Sequence, residues 1–102
     1  MSENLLNLVN TIRDRKNKKD EDKSYTSSLL SSGLSKCIDK MEEEFSELKE
    51  ALNDKSNIVH EAADTIYHIL VTLEAADIKF EDVLKELEER KKQSGIEEKN
   101  NR

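Results

Sequence analysis

In LSKCIDKMEEEFSELKEAL, residues 34–52, apolar side chains recur at Leu34, Ile38, Met41, Phe45, Leu48 and Leu52. The intervals alternate between four and three, which places all six on one side of an α-helix and makes a seam facing a partner. Residues three or four apart share a helix face, so Lys36, Lys40, Glu43, Glu44 and Glu47 form a second stripe, well round from the seam. Like charges at that spacing repel by about 0.2–0.5 kcal/mol per pair. Something should compensate.

The flanking segments extend the helical pattern. Residues 58–76, IVHEAADTIYHILVTLEAA, are apolar nearly all round and are expected to form the most buried helix. NDKSN, just before them, is rich in residues that compete for backbone hydrogen bonds and breaks the preceding helix. Toward the N-terminus, residues 3–17 carry a stripe of Leu5, Leu8, Val9 and Ile12. KKDEDKS (18–24) reads as a charged loop, with Ser24 capping a short turn through SYTSSLL that stops near Gly33. A fourth segment starts near Phe80 and uses Val83, Leu84 and Leu87. Beyond Arg90 no apolar period survives, so 94–102 is expected to be a mobile charged tail to a single domain spanning 1–93.

With no proline and two glycines, the chain is predicted to be all-α. The expected architecture is an antiparallel bundle of four main helices. At 102 residues, 34 % hydrophobic and 39 % charged, its own core is thin, and dimerisation is expected to complete it. The lone Cys37 excludes an internal disulfide and fits a reducing compartment. MSENLLNLVN lacks the basic and apolar regions of a secretory leader, and no run approaches the ~20 apolar residues of a membrane span. A cytoplasmic location with no membrane partner is expected. A net charge of −6 argues against sequence-independent nucleic-acid binding, which needs Lys and Arg at phosphates.

Glu61 and Asp64 are three apart, with His60 and His68 one turn either side of Asp64. If the helices flanking NDKSN pack as an antiparallel hairpin, Glu47 faces Glu61 or Asp64, and four or five carboxylates converge. Glu42 and Glu50 read as solvated charge, as runs on helices ordinarily do. Asp64 is harder to dismiss, because an ionised carboxylate in so apolar a helix is costly unless paired or metal-bound. All-oxygen ligation favours Mg²⁺, with Mn²⁺ as the other hard ion. HEAAD departs from the zinc motif H-E-x-x-H at its second histidine, Asp64 standing there instead. Cys37 has no sequence neighbour that would activate it and reads as a helix-face residue. An acidic cleft filled by divalent cations attracts polyphosphate, and Lys36 and Lys40 on the same stripe can hold terminal phosphate oxygens. The chemistry that follows is phosphoanhydride hydrolysis.

EEFSE (43–47) followed by EAAD (61–64) resembles the E-E-x-x-E…E-x-x-D signature of the MazG-like all-α nucleoside triphosphate pyrophosphohydrolases. More narrowly, IRDRK (12–16), SYTSSLLSSGL (24–34), KMEEEFSE (40–47), EAADTIYHILV (61–71) and EDVLKELEER (81–90) resemble the phosphoribosyl-ATP pyrophosphohydrolases of histidine biosynthesis. The resemblance implies Mg²⁺-assisted cleavage of phosphoribosyl-ATP to phosphoribosyl-AMP and pyrophosphate by a homodimer. It implies Glu44, Glu47, Glu61 and Asp64 as metal ligands, and Glu43 as a water-activating or supporting carboxylate beside them. Lys36, Lys40, Arg13 and Arg15 would steady phosphates, and Ser24, Tyr25 and Thr26 would border the substrate pocket. Two departures stand out: the family commonly reads K-V-G-E-E-A where this chain has Glu42 for the glycine and Phe45 for the alanine. Phe45 is expected on the seam, where it would alter how closely the two acid helices approach.

Two other functions fit parts of the pattern. A MazG-like enzyme for another nucleoside triphosphate needs the acids but not SYT or the YH pair. A non-catalytic helical adaptor needs only the apolar seam and a charged exterior.

Overall fold

The computed structural model describes residues 3–18 and 24–92 and contains α-helices and no strand among them. Five helices follow in order: α1 (Glu3–Lys18), α2 (Tyr25–Ser31), α3 (Leu34–Asp54), α4 (Ile58–Ala75) and α5 (Phe80–Arg90). The short turn expected after Ser24 is a helix in its own right. Most of the KKDEDKS loop and all of the 94–102 tail lie outside the described residues.

Local chemistry sets the boundaries. Ser24 is extended, and its Oγ accepts the Ser27 N–H at 3.2 Å, capping α2. Gly33 sits between α2 and α3 at φ 96°, a conformation that side chains resist. Lys55 closes α3 in the left-handed region with its N–H on the Ala51 carbonyl, and Asn57, also left-handed, starts α4.

α3 and α4 make the most extensive pairing of the molecule. Thr65 Oγ1 donates to the Glu44 carbonyl and Thr72 Oγ1 to the Cys37 carbonyl, both at 3.2 Å. Seven residues forward on α4 match seven back on α3, so the hairpin is antiparallel. The same step brings Ala51 opposite Ile58, and Ala51 is buried. The contact line on α3 is thus Cys37, Glu44 and Ala51, and the small Cys37 and Ala51 let hydroxyls of α4 reach the α3 backbone.

The seam is not buried against α4. Leu34, Ile38, Phe45 and Leu52 are each exposed by 41–53 % and face away from α4. Phe45 therefore does not set the approach of the acid helices. α4 is the most buried helix, with Thr65, His68, Leu70, Val71 and Thr72 inside. Even so, Val59 is 84 % exposed and Ile66 half exposed. Helix rotation puts Val59 and Ile66 on the same side of the hairpin as the α3 seam. The hairpin consequently has an apolar face and, opposite it, a face carrying the carboxylates and receiving α1 and α2.

The core lies on that second side, where Val9 and Ile12 of α1 and Leu29 of α2 meet Cys37, Leu70 and Val71. Phe80 brings the start of α5 against it. A clasp of ions closes the far end. Arg13 pairs with Glu74 at 3.3 Å and with Glu81 at 3.0 Å, and Lys16 pairs with Asp77.

Candidate metal centre

Four carboxylates gather where α3 and α4 approach the Lys55–Asn57 turn. Glu44, Glu47 and Glu61 each bring an oxygen within 4.8 Å of the others, and Glu61 also belongs to a group with His60 and Asp64 on the same criterion. Glu61 therefore joins the two sets. The helical spacing requires this: Glu44 and Glu47 share a face, as do Glu61 and Asp64, and the hairpin register turns the faces together.

The buried acids differ from the one expected. Asp64 is 40 % exposed, with Oδ2 3.2 Å from His60 Nε2, so the apolar run does not isolate it. Glu44 Oε2 and Glu61 Oε2 are instead buried with no hydrogen-bond partner. Burial first, and the neighbouring charge of Glu47 second, push both carboxyls above the ordinary carboxylate range. A buried oxygen without a donor is uncommon and costly. Two of them aimed into one oxygen-rich cluster fit a hard divalent cation, which would supply the missing partner to both.

Glu43 stands outside this cluster. Its Oε2 is 3.4 Å from Lys40 Nζ, and both residues line a hollow of about 340 Å³ with Leu29, Ser32, Lys36 and Asp39. The two lysines expected at phosphates thus share one recess between α2 and α3, next to the carboxylates. Arg13 is elsewhere. Its guanidinium is held by Glu74 and Glu81, and Glu74 lies ten residues past Asp64, about 15 Å along α4. Arg15 gives its carbonyl to Ser27 Oγ, while its side chain borders a surface recess formed by α1 alone.

α2 brings Tyr25 and Thr26 to α4, while Ser24 caps its start. Thr26 Oγ1 hydrogen-bonds the Tyr67 hydroxyl, and Tyr25 Oη is 3.4 Å from His68 Nε2. His68 Nδ1 is 2.8 Å from the Asp64 carbonyl, which can only accept, so the proton sits on Nδ1 and Nε2 is left to accept from Tyr25. Tyr67 and His68 were visible in the sequence as the YH pair but carried no assigned role. Their signal is positional: His68 is one turn beyond Asp64. Cys37 is 1 % exposed, its thiol pushed up by burial and donating to the Leu29 carbonyl at 3.3 Å. That is a packing role.

A family model described as phosphoribosyl-ATP pyrophosphohydrolase matches residues 5–91. The phosphoribosyl-ATP pyrophosphatase of Roseobacter denitrificans is 45 % identical over 97 residues, covering 93 % of this chain and 91 % of its own. That of Paracoccus denitrificans is 43 % identical over 97 residues, covering 93 % and 89 %. That of Rhizobium etli is 42 % identical over 93 residues, covering 89 % and 87 %. No solved structure matches the chain. No helix of the described residues is long and apolar enough to cross a membrane.

Proposed function

Since this chain belongs to the phosphoribosyl-ATP pyrophosphohydrolase family, we propose that its carboxylate cleft hydrolyses phosphoribosyl-ATP to phosphoribosyl-AMP and pyrophosphate, with Mg²⁺, in the cytoplasmic synthesis of histidine. The observation that carries the site is the pair of buried, partnerless oxygens on Glu44 and Glu61. Likeness to phosphoribosyl-ATP pyrophosphatases over 89–93 % of this chain favours this substrate over another nucleoside triphosphate.

Glu44, Glu47, Glu61 and Asp64 hold the cation, Mn²⁺ being an acceptable substitute. When bound, it neutralises phosphate charge and lowers the pKa of the attacking water. Glu44 and Glu61 form the dry floor of the cleft. Glu47 is its exposed member, with an oxygen within 4.8 Å of both Glu44 and Glu61, and it serves as the acceptor of the water's proton. Glu43 has a different task, fixing Lys40 from outside the cluster. Lys36 and Lys40 meet the phosphate oxygens from their recess, and Ser24, Tyr25 and Thr26 border the nucleoside. Arg13, already committed to two carboxylates, anchors helices.

The enzyme is proposed to work as a homodimer, with a second copy covering Leu34, Ile38, Phe45 and Leu52. That contact completes a four-helix bundle from two hairpins.

Purified protein should release pyrophosphate from phosphoribosyl-ATP when Mg²⁺ is present and stop when it is chelated. Asp64→Asn should weaken Mg²⁺ binding and cut turnover by at least about ten-fold, as lost metal support does. A folded protein that releases no pyrophosphate would overturn the reading.

A further inference from the structure

Between the carboxylate cleft and α2 lies an aromatic group that metal and phosphate chemistry leave unused. Tyr25 and Tyr67 stack at a centroid distance of 6.4 Å and an interplanar angle of 20°. His68 meets both rings edge-on, at 6.1 Å from Tyr25 and 5.1 Å from Tyr67. The burial is uneven: His68 is 5 % exposed, whereas Tyr25 is 57 % exposed. An open tyrosine ring is thus backed by a second ring and tied by its hydroxyl to a buried histidine.

The tether explains the placement. His68 donates Nδ1–H to the Asp64 carbonyl, and its Nε2 accepts from Tyr25. One rigid imidazole therefore links the backbone of a proposed metal ligand to a side chain on a different helix. Thr26, adjacent to Tyr25, is fixed to Tyr67 in the same way. These bonds hold the first turn of α2 against α4 beside the cleft. A lone tyrosine there would swing freely through solvent, and its ring would lose that freedom on binding.

We propose that Tyr25 is the platform on which the purine base of the nucleotide stacks, and that His68 is the positioning residue that holds it at the mouth of the carboxylate cleft. This rests on the hydrolase reading, in which the triphosphate end sits on the carboxylates and lysines. The base then needs a flat apolar surface within a nucleoside's reach, and the Tyr25 ring is the exposed aromatic surface at that mouth. Stacking on the base is equally strong before and during bond cleavage, so it governs substrate affinity rather than turnover.

The test compares two probes with Mg²⁺ present: phosphoribosyl-ATP, which carries a base, and inorganic tripolyphosphate, which does not. Tyr25→Leu should raise KM for phosphoribosyl-ATP by about ten-fold or more, in the range of one base–aromatic stack, with kcat changed little. Its inhibition constant for tripolyphosphate should stay within about two-fold of wild type. Tyr25→Phe keeps the ring but loses the hydroxyl tether, so it should recover part of the lost affinity and raise KM about as much as His68→Gln does. His68→Gln should raise KM in the same direction, yet add little in a Tyr25→Leu background, because it acts through Tyr25. Unchanged KM in Tyr25→Leu would overturn the proposal, and so would parallel weakening of both probes. If His68→Gln does not fold, the Tyr25 pair of variants, on an exposed side chain, still decides it. Failure of the wild-type protein to bind tripolyphosphate with Mg²⁺ would instead strike the hydrolase reading itself.

Discussion

Neutralising Glu44 separates a metal-holding carboxylate from a merely solubilising one. In the metal-free chain its ionisation is opposed first by burial and then by Glu47. The folded form therefore binds that proton more tightly than the unfolded chain does. The resulting stabilisation is fully present below the ordinary carboxylate pKa and is lost as pH rises through the elevated folded value. Once pH has risen past that elevated value, the metal-free fold carries the strain of an ionised, partnerless group. Glu44→Gln should remove it, so the metal-free variant should melt above wild type by about 2–5 °C, a typical response to modest relief in a domain of this size. Mg²⁺ should raise the wild-type melting temperature by mass action and leave the variant nearly unmoved. Calorimetry with Mg²⁺ and with chelator checks both halves. A variant that melts lower without metal, or keeps the full Mg²⁺ shift, would show that Glu44 belongs to packing or solubility.

Between elements, the α3–α4 line is narrow because Cys37, Ala51, Thr65 and Thr72 are small. Ala51→Leu inserts bulk one turn from Glu47 and should cost about 1–3 kcal/mol by overpacking. It should also weaken Mg²⁺ affinity by parting the acids, measurable by titration calorimetry; normal affinity would mean that hairpin spacing does not tune the centre. The clasp at the other end makes a separate claim. The Arg13 guanidinium holds the Glu81 carboxyl down to about 2. A depressed folded pKa stabilises above the unfolded value and fades as pH falls toward the folded one. Urea midpoints of wild type and Glu81→Gln should therefore differ at neutral pH and converge between about pH 4 and pH 2; a constant gap would exclude the ion pair as its source. The two ends also differ in how much of them could be read from sequence. Ser24, Gly33 and the NDKSN break were legible because caps and breaks are local. The carboxylate cluster was legible because three- and four-residue spacing fixes a helix face. The contact line was not, since large apolar residues draw the eye to a seam while close helix approach selects small ones. Arg13 was not legible either, its partners lying 61 and 68 residues away.

At the scale of the whole molecule, the uncovered seam becomes informative. The six-residue repeat from Leu34 to Leu52 keeps a strict four-three period, yet α4 does not cover it and four of its members stand 41–53 % exposed. Val59 and Ile66 extend the patch onto α4. A radius of gyration of 15.5 Å exceeds the ~13 Å of a compact 100-residue domain, as expected of a chain that closes its core against something else. The opposite face is engaged by α1 and α2 and holds the carboxylates, so a second copy can dock on the seam without blocking the cleft. The shared surface would be self-complementary, the same residues meeting across a twofold axis. Light scattering on the wild-type chain should give twice 11.8 kDa. Replacing Ile38 and Phe45 together by glutamate places like charges across that axis and should yield monomers, with the melting temperature falling and becoming independent of protein concentration. If the wild type scatters as a single chain, or the doubly charged variant stays dimeric, the four-three seam belongs to another partner and the bundle is not closed by self-association.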